Sequence, residues 1–136
     1  MSRNLLIAVV ALSFGVLLAA KPLVAHHAFA AEFDDKKPLK VTGVVKKVEW
    51  MNPHIWFYVE GKDEVTGRSG VWGFSGGAPG QLTRRGIPRT ALKIGDTIKV
   101  EGFLAKDGSA NGSGGRVTFA DGRQVFTAGA EDVVPR

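Results

Sequence analysis

From Leu39 to Thr127, apolar side chains recur at every second position in short runs, and three-to-four-residue spacing is rare, so the chain predicts strands rather than helices. Over Leu39 to Trp50, Val41, Gly43 and Val45 fall on one side and Thr42, Val44, Lys46 and Val48 on the other. The alternation slips at Val44-Val45, next to a permissive glycine, which predicts a bulge or a sharp coil there. Over His54 to Glu60 the pattern is cleaner: Ile55, Phe57 and Val59 share one face, and His54, Trp56, Tyr58 and Glu60 the other. Between these runs stands Asn52-Pro53. Proline fixes its own φ and pushes the preceding residue out of the α region, so the chain turns a corner and presents His54 at its exit.

Gly61 to Gly67 reads as a polar hairpin loop, and Ser69 to Ser75 as a returning strand with Trp72 and Phe74 on one face. A short helix is predicted over Pro79 to Arg85, with proline in its first turn, arginines in its last and Gly86 as its stop. Leu92 to Asp96 is a tight turn into the strand Thr97 to Lys106, where Ile98, Val100, Gly102 and Leu104 alternate with Lys99, Glu101 and Phe103. Asp107 to Gly115 is almost wholly Gly, Ser, Asn, Asp and Ala, the composition of a mobile loop. Arg116 to Ala120 and Arg123 to Thr127 then form a hairpin across Asp121-Gly122, a pair suited to a two-residue type I′ turn. Five or six strands with one short helix after the third give a mainly β, all-β class fold. The architecture predicted is a small barrel like the oligonucleotide/oligosaccharide-binding fold, with a two-sheet sandwich as the alternative that periodicity does not separate.

The first twenty-five residues break this pattern. A positively charged start precedes the apolar run Leu5 to Ala20 and the small-residue region ending at Ala25, the order of a cleaved export signal. The run is shorter than the ~20 residues that span a bilayer and contains Ser13 and Gly15, so no stable membrane span is expected after cleavage. The reading is therefore a signal over 1–25, an N-terminal arm over 26–38, the barrel over 39–127 and a tail over 128–136, in a periplasmic protein. The chain's 136 residues, 44% of them hydrophobic, suffice for one cored domain. There is no cysteine, so no disulfide helps. The formal charge of +5 falls to +3 once Arg3 and Lys21 are removed, an excess too mild and too interspersed to indicate a nucleic-acid partner.

The candidate chemistry lies in two groups. The chain's histidines are His26, His27 and His54. Cleavage after Ala25 places the new α-amine and the imidazole of His26 on one residue, where they can chelate a single ion, with His27 or His54 adding a nitrogen; an all-nitrogen set favours Cu(II), then Ni(II) or Zn(II). Cleavage after Ala30 instead removes both N-terminal histidines. The plainer alternative has the pair solvated and His54 bonded to a loop carbonyl. The second group is aromatic: Trp50, Trp56, Tyr58 and Trp72, with Phe74 nearby, are able to stack a sugar ring or a peptide, or else to form a second hydrophobic layer. Arg84, Arg85 and Arg89 cluster near the helix and suit an anion or simple solvation. Catalysis finds little support. Ser75 lacks the flanks of a nucleophile elbow, Asp34-Asp35 and Glu60 form no spaced acid/base pair, and no loop ends in the Lys-Ser/Thr of a phosphate cradle. Redox chemistry at a bound copper is the one enzymatic route left open.

The segments His26-His27-Ala28-Phe29-Ala30-Ala31-Glu32-Phe33-Asp34, Gly43-Val44-Val45 through Trp50-Met51-Asn52-Pro53-His54, Trp72-Gly73-Phe74, Arg84-Arg85-Gly86 and Gly95-Asp96 through Gly108 together resemble an uncharacterised family of small exported bacterial proteins, a domain of unknown function. That resemblance implies an exported single domain and supplies no activity. The family commonly has Ser where this chain has Ala28. Two functional expectations follow: a periplasmic module holding a copper-class ion through His26 with His54 and His27, or a metal-free envelope module binding a carbohydrate, peptide or protein through its aromatic face.

Overall fold

One long strand organises the architecture. In the computed structural model, which describes residues 29–126, β1 (Phe33–Glu49) pairs along its first part with β4 (Thr97–Ala105) and along its last part with β2 (Trp56–Asp63), so a single strand borders both sides of the barrel. β2 pairs antiparallel with β3 (Ser69–Ser75), and β3 pairs in parallel with β5 (Asn111–Ser113). β5 meets β4 at Leu104–Gly112, and β4 returns to β1. The ring β1-β2-β3-β5-β4 is thereby nearly closed, with β6 (Arg116–Phe119) and β7 (Gln124–Phe126) extending the sheet beyond β4. The helix α1 (Pro79–Arg84) bridges β3 and β4. A five-stranded ring with a helix after its third strand is the barrel architecture that the strand count suggested.

The interior is filled by alternate residues of the strands, and it takes in Trp72, a candidate for ligand contact in the sequence. Val41, Val45, Phe57, Val59, Trp72, Phe74, Ile98, Val100 and Val117 are essentially inaccessible to solvent. Phe57 and Phe74 stack with ring centroids 5.4 Å apart, and α1 adds Leu82 to the same cluster. Each such side chain contributes about 1.5–3 kcal/mol on burial, which makes the cluster the main source of stability in a chain without disulfides. The expected irregularity in β1 is present as a register shift between Val45 and Lys47.

Three local expectations are corrected. β1 starts at Phe33 rather than Leu39, because Phe33 pairs with Ala105 across a register shift that spans the charged run to Pro38; that run has no period and so hid the strand. A helical turn over 29–32 precedes it, and Phe29 sits 5.4 Å from Phe33 and 6.2 Å from Phe103, ring centre to ring centre. The supposed mobile loop Asp107 to Gly115 contains β5, with Gly112 to Gly115 buried. Its small residues are packing requirements: a Cβ on Gly112 would lie 2.4 Å from a Leu39 methyl, and Ser113 Oγ accepts the Phe103 N–H at 2.9 Å. The Asp121-Gly122 hairpin has positive φ at Gly122 alone, with Gly122 N–H bonded to Phe119 O and Phe119 N–H to Arg123 O. This is a turn followed by a glycine bulge rather than type I′, which would need positive φ at two successive residues.

Candidate functional site

Strand register sorts the aromatic residues onto opposite sides of the barrel wall. β3 pairs Trp72 with Val59 and Phe74 with Phe57, so both rings enter the core, and Trp72 is 1% exposed. Trp56 and Tyr58 pair with Ser75 and Gly73 and lie half-buried on the outer face. Trp50 is half-buried against the main core cluster, just before the corner, where the Asn52–Pro53 peptide is cis. Of the four aromatic candidates, then, Trp56 and Tyr58 share the outer surface and Trp72 does not.

Around Tyr58 the outer face acquires polar side chains from two other strands, β1 and β5. β1 brings Lys47 opposite Tyr58 and Glu49 opposite Trp56. The Tyr58 hydroxyl donates to Glu49 Oε2 at 3.1 Å, Lys47 Nζ lies 2.5 Å from Glu49 Oε1, and the same ammonium stands 5.4 Å from the Tyr58 ring centre. Lys47 first, and then the Tyr58 hydroxyl, lower the Glu49 pKa by hydrogen bonding. Burial first, and then the bond to Glu49, raise that of Tyr58. The lysine in turn is raised by its bond to Glu49. At neutral pH the cluster is therefore a carboxylate, a neutral phenol and an ammonium. On the other flank, a Cβ at Gly73 would come within 3.3 Å of the Tyr58 ring and 2.5 Å of Asn111 Oδ1. Glycine at this position lets the phenol lie over the β3 backbone with the Asn111 amide beside it. Asn111 Nδ2 donates to Ser109 Oγ at 3.1 Å.

Sequence reasoning missed Lys47, Glu49, Gly73 and Asn111. The first two were legible as outward residues once the slip in β1 was placed. Asn111 was not, because its segment lacks any apolar alternation.

His54 is exposed at the corner before β2, and its Nδ1 is 3.1 Å from Gly76 O. A carbonyl only accepts, so this contact makes Nδ1 the protonated nitrogen and leaves the Nε2 lone pair outward, the arrangement that orients metal-binding imidazoles and also a common loop bond. The anticipated partners His26 and His27 lie outside the described residues. Among the described residues no group of three or more His, Cys, Asp or Glu side chains is arranged to hold a metal ion. A relay of contacts links the N-terminal turn to the His54 corner. Phe29 packs on Phe103, whose N–H bonds Ser113; Ser113 pairs with Ser75, and the next residue supplies the carbonyl that holds His54. Arg84, Arg85 and Arg89 are exposed around the end of α1.

A family model matches residues 14–115, three quarters of the chain and every strand of the ring. The chain belongs to DUF6152, a family of unknown function. No curated protein and no solved structure matches it. Membership of DUF6152 accordingly brings no site by analogy, and the outer face and His54 stand on their own geometry.

Proposed function

We propose that this protein is a periplasmic binding module that takes a saccharide on the outer face of its barrel, across β2 and β3. The observation that carries the reading is the Tyr58 ring lying over Gly73 between the Glu49 carboxylate and the Asn111 amide, with Trp56 on the same face. A sugar offers an apolar C–H face for stacking and hydroxyls that both donate and accept, and this surface supplies a ring with acceptors and donors at its edge. No catalytic group is part of the proposal.

The test is titration of the secreted protein with a panel of soluble oligosaccharides, followed by tryptophan fluorescence and by amide shifts. Trp56→Ala and Tyr58→Ala should each weaken a bound saccharide by about tenfold or more, roughly 1.4 kcal/mol, without lowering the melting temperature by more than a few degrees. Trp72→Phe should cost stability and leave affinity unchanged. Binding of peptides in place of every sugar, or affinity indifferent to both outer-face variants, would sink the saccharide reading.

A second reading is favoured by the His54 geometry: a copper-class ion held by Nε2 of His54 together with His26, its free amine and His27. The chain from Phe29 back to His26 spans about 10 Å when extended, which sets the reach this reading requires. Intact mass of the exported protein with one equivalent of Cu(II) tests it. A start at His26 with one copper held, lost in His54→Ala, supports this reading; a start at Ala31 removes it.

A further inference from the structure

At the end of the barrel that carries the β2–β3 hairpin, away from His54 and the outer face, lies a cavity of about 340 Å³. Its walls are apolar: Leu39 from β1, Trp72 from β3, Leu104 from β4 and Val65 from the hairpin. Lys36, Lys37 and Arg68 stand around it as cations. Lys37 is 3.7 Å from Asp34, but neither Arg68 nor Lys36 forms an ion pair among the described residues. The Arg68 guanidinium is instead held 5.3 Å over the Trp72 ring, a position that fixes the charge at the apolar wall. The cavity's carboxylate, Asp63, is already taken up by the N–H groups of Lys40, Val65 and Thr66 and by the Thr66 hydroxyl.

Trp72 itself is almost wholly buried in the wall. The Trp72 indole N–H is buried and has no hydrogen-bond partner among the described residues. With Trp72 only 1% exposed, its ring is reached from the cavity through the Arg68 guanidinium stacked over it. Cavities of a few hundred Å³ at barrel mouths, apolar with a few convergent polar groups, are the usual form of small-molecule sites.

We propose that this cavity binds a small amphiphilic carboxylate, with its apolar body against Val65 and Leu104 and its charged head at Arg68 and Lys36. The site is independent of the saccharide reading, because it shares no residue with the outer face. Stacking on Trp72 gives Arg68 a low-cost fixed geometry, and its planar fork matches a carboxylate better than an ammonium does. The apolar wall selects against short, wholly polar anions.

The experiment is calorimetric titration of the full chain with decanoate below its micelle concentration, alongside indole N–H spectra assigned by Trp→Phe variants. One decanoate should bind per chain and move the Trp72 indole resonance while leaving that of Trp56 in place. The double variant Lys36→Gln/Arg68→Gln, at exposed positions that do not support the core, should weaken binding at least tenfold, and Arg68→Lys should fall between that variant and the parent. n-Decanol, which lacks the charge, should bind at least tenfold more weakly than decanoate. An unmoved Trp72 indole, equal binding of the alcohol, or affinity unchanged by the double variant would each overturn the proposal.

Discussion

Asp63, 1% exposed at the end of β2, shows how one residue fastens two parts of the chain. Its carboxylate accepts the Lys40 N–H from β1 and the N–H groups of Val65 and Thr66 within its own hairpin, together with the Thr66 hydroxyl at 2.6 Å. Burial pushes its pKa up and is the largest single influence, but these hydrogen bonds together outweigh it and hold the group below its ordinary value of 3.8. A carboxylate depressed in the folded state contributes stability above its unfolded pKa, and that contribution is lost as pH falls through the folded value. Asp63→Ala should cost about 3 kcal/mol at pH 7, since it strands several donors at a buried site, and urea unfolding would measure it. The gap between variant and parent should narrow below about pH 4. A gap that stays constant to pH 2 would mean the carboxylate's charge is not what matters. The sequence marked Asp63 only as part of a polar loop, because nothing local reveals that Lys40 arrives from another strand.

At the scale of elements, β5 carries the clearest lesson. Composition assigns Asp107 to Gly115 to loop, yet three of its residues close the ring between β3 and β4. Gly73 N–H bonds Ala110 O and Gly114 N–H bonds Ser75 O, so backbone pairing rather than side-chain burial holds the strand in place. Hydrogen exchange should therefore find the backbone amides of this pairing, Gly73 and Gly114, protected well beyond those of the Thr66–Gly67 turn; equal exchange would contradict the closed ring. Gly112→Ala should destabilise by about 1–3 kcal/mol, since its Cβ would press on Leu39 inside the barrel, and thermal unfolding would register the loss. The longer alternating strands behave differently. β3 and β4 were legible almost to the residue, and β2 in its buried face though not in its ends, which run Trp56–Asp63 rather than His54 to Glu60; each buries one face, and a one-residue slip would expose all of it.

For the molecule as a whole, two apolar clusters divide the work. The larger fills the barrel; the smaller joins Phe33, Phe103 and Ala105, with Phe29 over them, on the outside of β4. The N-terminal turn is tied there by Lys106 N–H to Glu32 O at 2.9 Å and by the Lys106 ammonium to Ala30 O. Because this cluster lies outside the main core, the arm should open without unfolding the barrel. Phe29→Ala should raise exchange at the Lys106 amide several-fold while lowering global stability by no more than about 1 kcal/mol. A large global loss would make the arm an integral part of the core.

The sequence by itself determined the mainly β class, the alternating core positions, the corner at Asn52-Pro53 and the helix after β3. All of these rest on interactions between residues close in the chain, or on a periodicity that one strand carries alone. Tertiary structure alone decided that Trp72 turns inward, away from Trp56 and Tyr58, because that depends on the register between β2 and β3. It likewise decided that a glycine-serine segment is a strand and that Glu49, Gly73 and Asn111 converge on one phenol, since pairing partners distant in the chain leave no local periodicity to read.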